Sequence, residues 1–394
     1  MTAVYVISDF NAELVARYLS VDKTAPACKA TSAPFGQLRQ VLAAPPPVGK
    51  DGVALVWARP EAVIFEYSRL LRGEKIEPAR LLAEVDEYAQ SLKAYSSRLS
   101  LLLVATWVPS RKGRGLGALD WRADGHAYWL ARMNVRLADA MADAPSVYLL
   151  DAARWLASVG SSAHDSRFWY AMKSPFTEAV GQAAARDVKA AIRAARAQGR
   201  RLIVVDLDDT LWGGTVGEQG WQNLRLGGHD HVGEAHADFQ AALKALTRRG
   251  IQVALVSKND EATALEAIDR HPHMVLGRGD LAGWRINWRD KAENIVDLAR
   301  ELNLGLSSVV FIDDSPIERG RVREALTEVL VPEWPQDPTR FADALSELDC
   351  FDPSTITDED RARTRMYVED RDRKSGSAAF SSPGQWLMSL GIQV

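Results

Sequence analysis

The chain sets short, strongly apolar runs between longer amphipathic stretches, and few folds accommodate that order. VYVIS (4 to 8), VALVWA (53 to 58), LLLVATW (101 to 107) and VYLL (147 to 150) are too short for core helices. Between them lie segments such as PARLLAEVDEYAQSLKAYSSRL (78 to 99), whose apolar residues recur at three- and four-residue spacing. Continuous apolar runs are strands buried on both faces, and strands separated by helices pair in parallel. The same alternation returns at LIVVD (202 to 206), VALVS (253 to 257), VVFID (309 to 313) and VLVP (329 to 332), with helices expected over 233–249, 260–270, 290–303 and 317–327. The fold class is α/β.

A chain of 394 residues exceeds one typical core, so two domains are expected. The helix-favouring stretch EAVGQAAARDVKAAIRAARAQGRR (178 to 201) places their junction near residues 175 to 198. This divides the chain into 1–195, 196–350 and a C-terminal helical extension, 351–394, in which Thr357 and Asp360 have capping-box spacing. The formal net charge of -4 supplies no basic face, so nucleic acid is not an expected partner. No apolar run approaches the roughly 18 residues of a membrane span, and the N-terminus lacks a basic leader, so a cytoplasmic protein is expected. Cys28 and Cys350 are too few for a disulfide framework and read as small buried hydrophobes.

One strand ends in clustered negative charge. VVDLDDTLWGGTVGEQG (204 to 220) delivers Asp206, Asp208 and Asp209 within four positions, a repulsion tolerable beside a cation. Three further elements follow in order: Ser257-Lys258-Asn259, Lys291 in NWRDKAEN, and Asp313-Asp314 in VVFIDDSP. Phosphoryl transfer through an aspartate needs an attacking carboxylate, a second to move the leaving group's proton, a hydroxyl and a cation for the phosphoryl oxygens, and a carboxylate-held metal. All of these residue types are present.

The four elements resemble those of the haloacid dehalogenase superfamily of aspartate-dependent phosphotransferases. By that resemblance Asp206 is the nucleophile, Asp208 the acid/base, Thr210 a support for the loop, Ser257 a phosphate ligand and Lys291 the charge neutraliser. Asp206, the Asp208 backbone carbonyl and Asp313 or Asp314 would hold Mg²⁺. Neither the gap from Asp206 to Ser257 nor that from Ser257 to Lys291 has room for a domain-sized lid. The expected domain is therefore capless: either the first domain covers the site, or another protein presents the substrate.

DLDDTLWGGTVGEQG, SKNDE, HPHMVL, RINWRDKAENI, ELNLG, VVFIDDSPIERGRVREAL and VLVPEWPQDP resemble, more specifically, the FkbH-like branch of that superfamily. The resemblance is close from 202 to about 370 and looser at SDFNAELV (8 to 15) and RFWYAMKSPFTEA (167 to 179). It implies a role in polyketide or related secondary metabolism. A bisphosphoglycerate, a phosphorylated three-carbon acid, would lose its phosphates, and its glyceryl unit would pass to the phosphopantetheine thiol of an acyl carrier protein. In that chemistry a cysteine often precedes the serine of the second motif; here the position is Val256. Direct transfer to the carrier, or plain phosphatase action on a metabolite or protein, stays open beside it. A carrier-binding scaffold without chemistry is the rival of another class.

Arg278, Arg285 and Arg289 precede Lys291 and suit a doubly anionic substrate, or else pair on the surface with acids such as Asp280 and Asp290. Asn259, Trp212, Gly213 and Gly214 flank the motifs and join the expected substrate contacts, although a tight turn explains the glycines equally well. His229 and His231 read as solvated. The first domain resembles flavodoxin-like SGNH hydrolases in a three-layer α/β arrangement, but Ser8-Asp9 is an altered motif and Ser161 stands where an aspartate would precede His164. A hydrolytic role is not expected there. The aromatic segment 161–176 is either core packing or a contribution to a cleft or to carrier docking.

Overall fold

The structure is a computed structural model that describes residues 1–228 and 230–378. The chain divides after Arg196 into two compact units, each α/β. In the first, strands β1 (Thr2–Ser8), β2 (Cys28–Ser32), β3 (Val53–Trp57), β4 (Leu101–Ala105) and β5 (Val147–Leu150) form a parallel sheet in the order β2-β1-β3-β4-β5. Successive residues of a strand face opposite sides. Val4, Val6, Val53 and Leu55 accordingly join one core, while Tyr5, Ile7, Ala54 and Val56 join another across the sheet. Helices on both faces complete three layers.

The second unit begins at Ala197. Strands β6 (Leu202–Val205), β7 (Gln252–Ser257), β8 (Leu281–Ile286) and β9 (Val309–Ile312) pair in parallel in the order β8-β7-β6-β9. Ile203, Val205, Leu255 and Ile312 pack to one side, and Val204, Ala254, Val256 and Phe311 to the other. β6 is thus central and buried on both faces, and its carboxyl end lies between those of β7 and β9. Loops leaving these ends converge there.

Four details depart from expectation. β2 and β8 were not legible as strands. VLVP (329 to 332) makes one isolated bridge, Val310 with Leu330, and is not a strand. The helix-favouring stretch 178–201 is helical only over Glu178–Ala195. The final helix, Asp358–Ala378, is no free-standing extension: Arg371 donates to the Leu281 carbonyl at 2.8 Å and covers the Trp284 ring at 4.6 Å, so the helix lines the β8 edge. At its start, the Thr357 N–H donates to Asp360 Oδ2 and the Asp360 N–H to Thr357 Oγ1, the reciprocal pair of a capping box. The expected extension also includes residues 379–394, and His229 was expected to be solvated; both lie outside the described residues. No helix among the described residues is long and apolar enough to cross a membrane.

Candidate functional site

Asp206 follows β6 directly, its N–H donating to the Ile312 carbonyl at 3.0 Å, so pairing with β9 fixes where the first carboxylate emerges. Asp313 follows β9, and Ser257 ends β7 with 2% of its surface exposed. Asp290 caps the helix Lys291–Glu301 through the Ala292 N–H, so Lys291 starts the first turn at the same edge. Its Nζ lies 2.7 Å from Asp313 Oδ2 and 2.9 Å from Asp206 Oδ1. The first contact is a hydrogen bond. The second is an ion pair, so one ammonium bridges the two carboxylates.

Carboxylate oxygens of Asp206, Asp313 and Asp314 lie within 4.8 Å of one another, against the single ammonium of Lys291. Burial pushes the Asp206 carboxyl up to about 6, with Lys291 opposing the shift and Asp313 adding to it. Burial likewise raises Asp313 against the pull of Lys291, and raises Asp314 with the help of Asp206. Lys291 is itself penalised by burial, yet Asp206 and Asp313 more than offset this and hold it charged. An excess of buried carboxylates over the one lysine they share fits a hard divalent cation bound by oxygen. The donor set is right for one.

Asp208 is held by three donors. Trp212 Nε1–H (2.9 Å) and the Val216 N–H (3.0 Å) reach its Oδ1, and Asn259 Nδ2 reaches its Oδ2 at 2.8 Å. Trp212, expected among the substrate contacts, is fully buried, and its indole holds the Asp208 carboxylate. Asn259, 4% exposed, is likewise committed to Asp208. Thr210 joins the loop after β6 to Asp314 through its hydroxyl.

The glycines shape the loop itself. Gly214 has φ +98°, a conformation suited to glycine, and its N–H donates to Asp209 Oδ1 at 2.7 Å. That bond helps hold Asp209 at φ +52°, in the left-handed region. A Cβ on Gly213 would stand 3.1 Å from Arg225 Cβ and 3.3 Å from His236 Nε2, so close packing requires a small residue there.

The three arginines expected to contact substrate are engaged elsewhere. Arg278 pairs with Asp269, Arg285 with Glu301 at the last residue of the Lys291–Glu301 helix, and Arg289 with Glu293 and Asp297 along that helix. Their charge is spent on surface partners, and none is brought to the carboxylate cluster. His231 is exposed at the start of helix His231–Thr247.

Two residues that the sequence did not single out complete the site. Arg319, 6% exposed, donates from Nη1 to the carbonyls of Asp313 and Asp314 at 2.7 Å each, gripping the backbone of the fourth motif. Its spacing on helix Pro316–Ala325, one turn beyond the Ser315 cap, is the only signal the sequence carried. His236 is fully buried beneath the first motif, with Nδ1 3.0 Å from the Thr210 carbonyl.

No protein-family model matches the chain, and no curated protein matches it. Among solved structures, it is similar to the N-terminal part of the protein BF1531 from Bacteroides fragilis, which contains a phosphatase domain and was crystallised with Mg. The match has a TM-score of 0.79 at 24% identity and covers 90% of this chain and 94% of that one. At that identity the likeness establishes the fold.

Proposed function

We propose that the second unit is a Mg²⁺-dependent phosphohydrolase of the haloacid dehalogenase type. The observation that carries this reading is the convergence of the Asp206, Asp313 and Asp314 carboxylates within 4.8 Å around Lys291, at the carboxyl edge of a parallel sheet. The phosphatase domain of the similar B. fragilis structure, complexed with Mg, supports it.

Asp206 attacks phosphorus, forming an aspartyl phosphate as the P–O ester bond breaks, and Asp208 gives its proton to the departing oxygen. Water then attacks that phosphorus, Asp208 takes the water's proton, and inorganic phosphate leaves with the Asp206 carboxylate restored. Lys291 neutralises charge on the phosphoryl oxygens and Ser257 is their hydroxyl ligand. Asp206, Asp313 or Asp314 and the Asp208 carbonyl would hold Mg²⁺, which when bound would supply Lewis-acid stabilisation of the phosphoryl group.

The finer reading is delivery of a glyceryl unit from a bisphosphoglycerate to an acyl carrier protein, supported by the FkbH-like loops and by the short connections around the site. Between Ser257 and Lys291 the only regular elements are helix Glu261–Arg270, one 3-10 turn and β8, so this unit has no inserted lid there to exclude a bulky acceptor. The carrier thiolate would attack the phosphorylated carboxyl, forming C–S as C–O breaks and phosphate leaves, and the remaining phosphomonoester would be hydrolysed through Asp206. Val256, Cys28 and Cys350 are all buried, which favours direct transfer over an enzyme-bound thioester and keeps simple hydrolysis as the second reading. Intact-protein mass spectrometry of enzyme, Mg²⁺, a bisphosphoglycerate and a phosphopantetheinylated carrier tests both. A glyceryl-sized gain on the carrier, absent with Asp206→Asn, supports transfer. Phosphate release with an unmodified carrier supports hydrolysis, and no Mg²⁺-dependent phosphate release from any phosphomonoester removes the enzyme reading.

A further inference from the structure

The first unit carries a cleft of its own. Its sheet reverses strand order between β1 and β3, and open α/β sheets bind ligands outside the carboxyl ends of the strands at such a point. Asp9 leaves β1 there and Arg59 leaves β3. The Arg59 N–H and Nε reach the two oxygens of Asp9 at 2.8 and 2.7 Å, and the guanidinium lies 4.2 Å from the centre of the Trp169 ring.

Hydrolytic chemistry is missing from this place. Ser8 is 2% exposed, and its Oγ accepts the Phe10 N–H at 3.1 Å. His164 Nε2 donates to the Pro109 carbonyl at 3.0 Å. What remains is a binding surface. A cavity of about 540 Å³ is lined by the cations Arg59, Arg72, Arg111 and Lys112 and the acids Glu61 and Asp120, and a second hollow of about 190 Å³ shares Arg59, Arg111 and Lys112 and adds Asp165, Trp169 and Tyr170. Glu61 lies 3.5 Å from Arg59, and Asp165 pairs with Arg167.

The cations differ in what they are free to do. Arg59 is neutralised by Asp9, and Arg72 by Glu74. Among the described residues Arg111 has no ion-pair partner, and Lys112 has none beyond a 3.4 Å contact to the Ser161 carbonyl. Two uncommitted positive charges, adjacent on the loop after β4, match a phosphate dianion better than a single carboxylate. The hollow that Arg111, Lys112 and Tyr170 share measures about 190 Å³, more than a free ion needs, and the same two cations also line the adjoining 540 Å³ cavity. Tyr170, 72% exposed, offers a flat apolar face beside those cations. We propose that this cleft binds a phosphate monoester carrying a planar ring, with the phosphate between Arg111 and Lys112 and the ring on Tyr170.

The test is calorimetric titration of the full chain, with EDTA present, against adenosine 5′-monophosphate, inorganic phosphate and adenosine. The nucleotide should bind more tightly than either fragment, and more weakly as salt rises. Arg111→Ala with Lys112→Ala should weaken nucleotide and phosphate binding about tenfold or more, whereas Tyr170→Ala should weaken the nucleotide alone. All three side chains lie at the surface, and circular dichroism checks that the variants remain folded. Nucleotide binding unchanged in the double variant would place the ligand elsewhere, including at the Asp206 site, and overturn the proposal. So would the absence of binding by both nucleotide and phosphate at millimolar concentration.

Discussion

Thr210 Oγ1 donates to Asp314 Oδ1 at 3.1 Å and accepts the Asp314 N–H at 3.1 Å, so one hydroxyl closes the first motif onto the fourth. Thr210 is fully buried, and Asp314 belongs to the carboxylate cluster. Replacement by valine keeps the shape and strands both partners. Thr210→Val should lose about 1–3 kcal/mol of stability, the cost of unpaired buried polar groups, while Thr210→Ser loses less. Urea unfolding curves measure this. A Mg²⁺ titration should also show weaker binding in Thr210→Val, because Asp314 is no longer held toward Asp206.

Asp208 separates orientation from substrate contact. Trp212→Phe removes the indole donor but keeps most of the buried ring, and Asn259→Leu removes the donor on the other oxygen. A hydrogen bond to a charged group contributes about 1.5–3 kcal/mol, so kcat for phosphate release should fall roughly 10- to 100-fold in each. Since both side chains donate to Asp208, KM should change little. Steady-state kinetics on a phosphomonoester decides it: a rise in KM at constant kcat would make these residues substrate contacts after all.

Strands buried on both faces were legible in the sequence for a physical reason. β1, β3, β4, β6, β7 and β9 are buried on both faces and read as unbroken apolar runs. β2, CKATS, is an edge strand with alternating exposure, and β8, LAGWRI, is an edge strand interrupted by glycine and arginine, so neither carries that signature. VLVP has the composition of a strand but only one bridge to β9. The motif aspartates could be placed because strand ends fix their position. The direction of a long side chain has no such anchor. Arg278, Arg285 and Arg289 are near Lys291 in sequence and are drawn away by Asp269, Glu301, Glu293 and Asp297, while Arg319, further along the chain, turns inward to the Asp313 and Asp314 carbonyls.

His236 gives the second unit an acid-sensitive point. Nδ1 must carry its proton to donate to the Thr210 carbonyl, and the buried Nε2 has no hydrogen-bond partner among the described residues, so the ring is neutral. Burial holds it below its ordinary value of 6.5, with the Thr210 bond opposing. A depressed folded value means that the unfolded chain takes up a proton first as pH falls. The stability associated with the neutral ring is therefore complete above 6.5 and is lost progressively below it, toward the lower folded value. Thermal unfolding at about pH 8 and about pH 5.5 should show a smaller acid-induced drop in Tm for His236→Gln than for the parent. His271, lowered by burial and by His273, acts in the same direction in both proteins and cancels in the comparison.

Lys291 is the cation that the Asp206 and Asp313 carboxylates share, and both of these contacts are buried. Lys291→Met leaves that buried negative charge without its partner, and breaking such a pair costs about 3–5 kcal/mol. The same change makes the cluster more attractive to a divalent cation. Mg²⁺ should therefore raise the urea midpoint more in Lys291→Met than in the parent, because a ligand that binds only the folded state stabilises it in proportion to its affinity. Unfolding curves for both proteins, with and without Mg²⁺, give four midpoints. A midpoint indifferent to Mg²⁺ in both proteins would mean that the carboxylates do not hold the ion. An equal shift in both would place the bound ion outside the field of Lys291, away from Asp206 and Asp313.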